Sequence, residues 1–348
     1  MPRHLPALSI AAIVLASAAL AHRAQACDML KYRRVQASPN VLVFEAAEGT
    51  TGVVNGNIAV VTGRDAMLVV DTGQIQSVAR RVVDEIRAHS RVPVGYIVNT
   101  HWHGDHLLAN SVFREAWPEA KILAHPHTIE QGGKFYAGYH GKAPARIAAA
   151  LEGMRKQREA AKNEDEKLFL TRTLECGVAV QPEIPGTRYL AADTPVEGDR
   201  RIDLGGVTAH VRHLGSANTP GDLIVWVEED RVAIVGDMLV YPAPYAIGSD
   251  LEPWSATLGR VQELKPRRIV PGHGPVMRND EYLKDVRALI ESTRTQLVDM
   301  LKQGVTRQDA RARLDTSAFT SKYIDTPMRR QAFDQFFVRA AIAQMWPR

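Results

Sequence analysis

The six residues His101–His106, HWHGDH, hold three histidines and an aspartate, in a chain with 12 histidines among 348 residues. They follow VGYIVNT, an apolar run of the kind that forms a buried strand. The fold must therefore carry a strand to an edge where imidazoles and a carboxylate can converge. His101 and His103, two apart in an extended segment, point to one side and can share one cation. Asp105 and His106 lie beyond the turn at Gly104 and can reach a second cation a few Å away. Imidazole with carboxylate suits zinc, with iron or manganese as alternatives where oxygen ligands are more numerous.

A two-ion site needs ligands from elsewhere, and they too should stand at strand ends, where a rigid edge steadies a loop. IVGDML puts Asp237 just after an apolar strand, where a carboxylate could bridge two cations. IVPGHG puts His273 at the end of another, between two glycines that leave room for close approach. Gly-Asp alone is as often a plain turn, and a lone Gly-His-Gly says little more. In this order, each after a strand, the three segments point to one centre.

The rest of the chain alternates strands and helices. VLVFEA and the pair within GNIAVVTGRDAMLVVDTG, joined at Gly63-Arg64-Asp65, read as strands. Ser77–Ser90 has helical spacing through Val78, Val82 and Ile86. A helix over Leu107–Trp117 and the strand AKILAHP follow the histidine loop. From about 127 to 181 the chain is rich in Ala, Glu, Lys, Arg and Leu, which predicts a helical insertion over one face. Strands resume in RRIDLG, VTAHVRHLG, DLIVWVEE, RVAIVGDML and RIVPGHG. A helical extension over about 279–348 begins with an amphipathic helix whose apolar face carries Val286, Leu289, Ile290, Thr293, Leu297 and Leu301; two further helices close it.

The first 26 residues stand apart. Arg3 and His4 precede the apolar stretch ALSIAAIVLASAALA, and AQA stands directly before Cys27, the pattern of a secretory signal cleaved after Ala26. The apolar run is shorter than the ~20 residues of a spanning helix. A lipid anchor on Cys27 is the less favoured alternative, because Gln25 is a poor residue before such a site. Taking 26 from 348 leaves 322 residues, one large domain with an insertion. Arg3 and Arg23 go with the signal, so the formal charge falls from +4 to +2. No basic tract is interleaved with aromatics, so nucleic acid is not an expected partner. Cys27 and Cys176 are the only cysteines. In an oxidising compartment they can form one disulfide, although two free thiols are equally compatible with the sequence. The expected location is the periplasm or the exterior, with no integral membrane segment after cleavage.

Over roughly Asn40 to Val276 the chain resembles the metallo-β-lactamase superfamily of metal-dependent hydrolases. The resemblance rests on GNIAVVTGRDAMLVVDTG, NTHWHGDH, GSANTPGDLIVW, IVGDML and IVPGHG. It implies an α/β fold, an αββα sandwich with a metal site along one edge of two packed sheets. By position, it assigns His101 and His103 to a first metal and Asp105, His106 and His273 to a second, with Asp237 bridging. Asp71 of VVDTG would support the ligands from behind. The family's third histidine on the first metal is replaced here by Asn218 in GSANTPGD. The first of two zinc ions is therefore expected to bind more weakly, or to be a harder ion. Asn218 can ligate through oxygen, leave the place to water, or leave only the second ion fully held. His213, five residues earlier, reads more simply as a strand-end histidine than as a substitute.

The implied reaction is hydrolysis by metal-activated hydroxide of an ester, thioester, lactone or related bond in a small molecule, with Asp105 or a bound water delivering the proton. No G-x-S-x-G is present, and neither cysteine neighbours a histidine in sequence. A dedicated β-lactamase is the alternative, disfavoured because such enzymes generally carry Cys or Ser where Asp237 stands. The sequence also resembles exported members associated with quinoprotein and sulfur-oxidation systems. A mono-iron persulfide dioxygenase, which would use the histidine absent at Asn218, and a non-catalytic metal-binding protein are readings of other classes. Tyr241, Tyr245 and Trp254, in the segment after Asp237, are expected either to contact substrate or to serve ordinary loop packing.

Overall fold

The computed structural model describes residues 30–47 and 55–346. The signal segment and Cys27 lie outside them. Two sheets form the centre. In the first, β1 (Tyr32–Ser38), β2 (Val41–Ala46), β3 (Ile58–Thr62), β4 (Met67–Val70), β5 (Val94–Val98), β6 (Lys121–Ala124) and β7 (Thr194–Pro195) lie side by side in chain order. The pairing is antiparallel up to β4 and parallel from β4 onwards. In the second, β8 (Asp199–Asp203), β9 (Thr208–Arg212), β10 (Ile224–Val227), β11 (Val232–Val240) and β12 (Arg268–His273) follow in sequence, with only β11 and β12 parallel.

Side-chain alternation along the strands assigns the layers. Val41 and Val43, Ala59 and Val61, and Leu68 and Val70 meet Val232, Ile234, Val225 and Val211 between the sheets. Their neighbours Leu42, Phe44, Ile58, Val60, Met67 and Val69 face outward, onto Val82, Val83 and Ile86 of α1 (Gln76–His89). Strands apolar on both sides are the expected signature of sheets covered on both faces. On the far side of the second sheet, Ala233 and Val235 pack against α7 (Leu251–Glu263) and α8 (Glu281–Lys302). Helix, sheet, sheet and helix give the αββα sandwich.

Between β5 and β6 the expected single helix is two short ones, α2 (Gly104–Leu107) and α3 (Asn110–Ala116). The break lets His106 and Asn110 both turn inward, each about 1 % exposed or less. The insertion is helical, as expected: α4 (Pro126–Tyr136), α5 (Tyr139–Ala160) and α6 (Glu164–Val180). Phe169 and Leu170 of α6 pack on Ala332, so the insertion leans on the C-terminal extension. Cys176 is buried on α6 and is not a free thiol.

After α8 the chain forms α9 (Arg307–Arg313), α10 (Ser317–Tyr323), α11 (Pro327–Phe333) and α12 (Arg339–Met345), more than the two helices expected. Side-chain caps from Thr306 and Thr326 begin α9 and α11, and both punctuate what composition alone runs together. The apolar face of α8 is buried through Leu297, while Leu301 is 37 % exposed, past the end of the core.

Candidate metal centre

The strand ends of both sheets deliver the histidines and carboxylates to one edge. The β5 loop carries His101, His103, Asp105 and His106; β11 carries Asp237, and His273 ends β12. His101 Nε2 lies 3.0 Å from His103 Nδ1 and 3.6 Å from Asp237 Oδ2. On the other side, His106 Nε2 lies 3.5 Å from Asp105 Oδ2 and 3.2 Å from Asp237 Oδ1. His273 Nε2 is 3.1 Å from Asp105 Oδ2 and 3.4 Å from Asp237 Oδ1.

These separations bear on whether a cation fits. A tetrahedral ion with ligands at about 2.0–2.1 Å sets its ligand atoms about 3.4 Å apart. Two groups of three, His101–His106–Asp237 and Asp105–His106–His273, have ligand atoms close enough to hold an ion. His106 Nε2, His273 Nε2 and Asp237 Oδ1 are all buried without a hydrogen-bond partner among the described residues. Buried polar atoms left unpaired are costly, and three converging on one point mark a place for a ligand. The donor set, imidazoles with carboxylates, suits a divalent metal.

The electrostatics agree. Burial, with the neighbouring imidazoles of His106 and His103, pushes His101 well below the ordinary histidine range. Burial also lowers His103. Both are then neutral near neutral pH, with lone pairs to offer. Burial opposes charge on His106, but Asp237, Asp105 and Asp71 outweigh it and raise its pKa well above normal. The pocket thus favours a positive charge there, be it a proton or a metal cation. Burial likewise opposes ionisation of Asp105, yet His106 and His273 hold its carboxyl below the usual range.

Asp71 holds the loop from behind. Its carboxylate accepts from the Thr100 amide and hydroxyl, both at 2.8 Å, and faces His106 Nδ1 at 2.7 Å. Thr100 Oγ1 in turn lies 3.0 Å from His101 Nδ1. One aspartate therefore orients an imidazole in each group. Its backbone sits at φ +60°, a left-handed conformation that Asp tolerates better than most residues.

Two close backbone approaches complete the walls. A Cβ at Gly272 would lie 1.9 Å from Asp237 Oδ1, and one at Gly56 would lie 2.4 Å from the His106 ring. The glycine before His273 was expected to leave such room. Gly56 was not foreseen, nor was Asn57, whose amide donates to the carbonyls of Pro271 and Gly274 and so fixes the His273 loop. The signal for Asn57 was available: a polar residue opening the apolar run NIAVV, where only a hydrogen-bonding duty explains burial.

Asn218 is 1 % exposed. Its Nδ2 donates to the Tyr245 carbonyl at 2.8 Å, while its Oδ1 is buried without a partner among the described residues. His213 stays outside: its Nδ1 lies 3.0 Å from the Asp222 carbonyl oxygen, and its ring packs on His125. The aromatic expectations divide. Tyr245 stands beside the centre, its ring 5.8 Å from that of His273. Tyr241 packs instead against Tyr282 and Tyr323. Trp254 takes the packing alternative: it is fully buried, its indole N–H donating to the Met238 carbonyl, because helix α7 turns that side chain into the core.

The sequence profile of the metallo-β-lactamase superfamily matches residues 51–273. None of the curated protein sequences compared with the chain matches it significantly. Among solved structures, a metallo-β-lactamase from Pontibacter korlensis is similar at 16 % identity and a TM-score of 0.55, over 75 % of this chain and 99 % of that one. The sec-alkylsulfatase Pisa1 from Pseudomonas sp. is similar at 14 % identity and a TM-score of 0.63, over 88 % of this chain but only 50 % of that one. At such identities the likeness speaks for the fold. A profile match over more than half the chain, on a sandwich whose edge gathers His101, His106, Asp237 and His273, settles the kinship: the chain belongs to the metallo-β-lactamase superfamily.

Proposed function

We propose that the protein is an exported metal-dependent hydrolase acting on an ester, thioester, lactone or related bond of a small molecule. One observation carries this reading. The Asp237 carboxylate is divided, Oδ2 towards His101 and Oδ1 towards His106 and His273, so one residue can serve two cations. His101, His103 and Asp237 would hold the first, with Asn218 Oδ1 completing it. Asp105, His106, His273 and Asp237 would hold the second. Cations bound there lower the pKa of water from ~15.7 towards ~7 and polarise the bond under attack.

The chain's own residues do the rest. Asp105 keeps Oδ2 on His106 and His273, so Oδ1 is left to hold the attacking water, and Asp105 or a bound water would deliver the proton to the leaving group. Its side chain is 15 % exposed, against 2 % for Asp237 and none for His101 and His106, which suits a group that exchanges protons with substrate. Asn218 brings a neutral oxygen where imidazole would be stronger, so the first position favours a harder ion or lower occupancy.

Export rests on the N-terminal signal pattern, and the absence of a free thiol at Cys176 is what an oxidising compartment would favour. No helix among the described residues is long and apolar enough to cross a membrane.

The test is metal analysis of purified protein together with turnover on a panel of β-lactam, lactone, thioester, phosphodiester, carboxylic ester and sulfate ester. Bound zinc, or another divalent ion, with turnover of at least one substrate is the expected result. No metal and no turnover would sink the proposal, and bound iron with oxygen uptake on a persulfide would replace it. Asp237→Ala should abolish turnover and lower metal content; unchanged values would remove the bridging role.

A further inference from the structure

The helical insertion lays an aromatic surface beside the metal loop. Trp102, between His101 and His103 in sequence, has its ring centroid 4.6 Å from that of His103. Phe135 is stacked on it at 4.6 Å and 23°. Phe135 lies near the end of α4 and is 54 % exposed.

Both ends of α4 are tied to the centre. At its start, Thr128 Oγ1 donates to the Gly221 carbonyl, in the loop that carries Asn218. At its end, the Tyr136 hydroxyl packs on Gly104 of the metal loop, where an added Cβ would lie 3.1 Å from it, and the Tyr136 ring packs 5.6 Å from Tyr139 and 5.8 Å from Tyr189. The stacked pair is thus held in place on the metal loop. An isolated exposed apolar side chain is ordinary. An exposed phenylalanine stacked on a tryptophan, itself against a histidine of a polar centre, has the composition of a ligand site: apolar wall, few convergent polar groups.

We infer that Trp102 and Phe135 bind the hydrocarbon part of the substrate, so that the enzyme selects esters whose acyl or alkyl chain reaches this platform. The inference rests on the hydrolase reading. A bond held at the His–Asp centre has its attached chain beside His103, and the contact series His103, Trp102, Phe135 gives that chain an apolar path out of water. A short acyl group ends before the platform; a longer one lies on it. Each methylene that leaves water there adds about two- to fourfold to kcat/KM.

The experiment uses the purified metal-loaded protein and one ester series with a common leaving group, from acetyl through butyryl and hexanoyl to octanoyl. The octanoyl-to-acetyl ratio of kcat/KM should be large. Phe135→Ser should reduce it by about tenfold, and Phe135→Leu should keep most of it. Calorimetric titration with acetate and octanoate supplies a readout that needs no turnover: octanoate should bind more tightly, and Phe135→Ser should shrink the difference. Absence of turnover on this series and on the whole substrate panel, with that binding difference intact and dependent on Phe135, would remove the hydrolase reading and leave the platform standing. A flat chain-length profile in both turnover and binding, or one that Phe135→Ser leaves unchanged, would overturn the platform.

Discussion

Asp71 shows how much of the centre depends on a residue placed behind its loop. Asp71→Asn keeps the size and tolerates the left-handed backbone, but its single oxygen cannot accept from the Thr100 amide on one side and serve His106 on the other, as the two carboxylate oxygens do. Loss of such a partner typically costs 10–100-fold in metal affinity or activity. We expect a drop of about that size with the melting temperature little changed, measured by competitive chelation beside kinetics. Full retention of affinity would show that Thr100 alone orients the loop. Asn218→His asks the opposite question. An imidazole can donate one N–H to the Tyr245 carbonyl, as the amide now does, and turn its other nitrogen towards His101 and His103. Affinity at the first position should rise at least about tenfold. Identical stoichiometry and affinity would show that Asn218 does not face it. The residues of the centre were legible because each polar group interrupts an apolar strand or ends one. Trp254 was not, because a tryptophan after a loop reads alike whether the helix it enters faces solvent or core.

Elements differ in how far their pattern announces them. Strands β2 to β5 and helix α1 were legible, since periodicity of two or of 3.6 with burial on a fixed face leaves little choice. β1 and β7 were not: β1 is half polar and β7 is two residues long, so both exist only through the pairing of a neighbour. The loop joining β9 to β10 was readable as a motif but not as a structure, and Asp222 supplies the difference. Its Oδ2 accepts from the amides of Ala217 and Thr219 and from the Thr219 hydroxyl, which shapes the turn presenting Asn218. Burial pushes the Asp222 carboxyl up to about 8. The folded chain then holds a proton there that the unfolded chain releases above about 3.9. Its contribution to stability is full below that value and is lost as pH rises towards and through 8, at up to about 1.4 kcal/mol per unit. His101 and His103, held low by burial, act with the opposite sign but only below about 6.5. Between pH 6.5 and 8 the Asp222 term should therefore dominate the difference between wild type and Asp222→Asn, which cannot titrate. Chemical denaturation across that window should give a flatter profile for the variant. Parallel profiles would mean that Asp222 stays ionised.

At the scale of the molecule, the centre is a clasp between two sheets. His101, His103, Asp105 and His106 hang from the first sheet, and Asp237 and His273 from the second. The sheets already share an apolar interface, with Val70, Val98, Ile234 and Val270 all about 3 % exposed or less, so the fold does not need a metal to close. Cations held from both sides would still add stability, because they bind the folded chain and not the unfolded one. At a free concentration 100 times Kd, one site adds about 2.7 kcal/mol. For a chain larger than 250 residues each kcal/mol moves the melting temperature by about 2 °C or less, so removal of a tightly held ion should lower it by about 5 °C. The shift should appear in calorimetric melts with and without chelator and be reversed by adding back the metal. Asp237→Ala, which removes the carboxylate proposed to serve both cations, should melt at the chelated temperature and respond to neither treatment. His273→Ala should retain a partial response, since His101, with His103 beside it, still faces the Asp237 oxygen on its side. A wild-type melt insensitive to chelation, in protein shown to contain metal, would mean that the ions sit elsewhere. The sheets would then be held by their apolar interface alone.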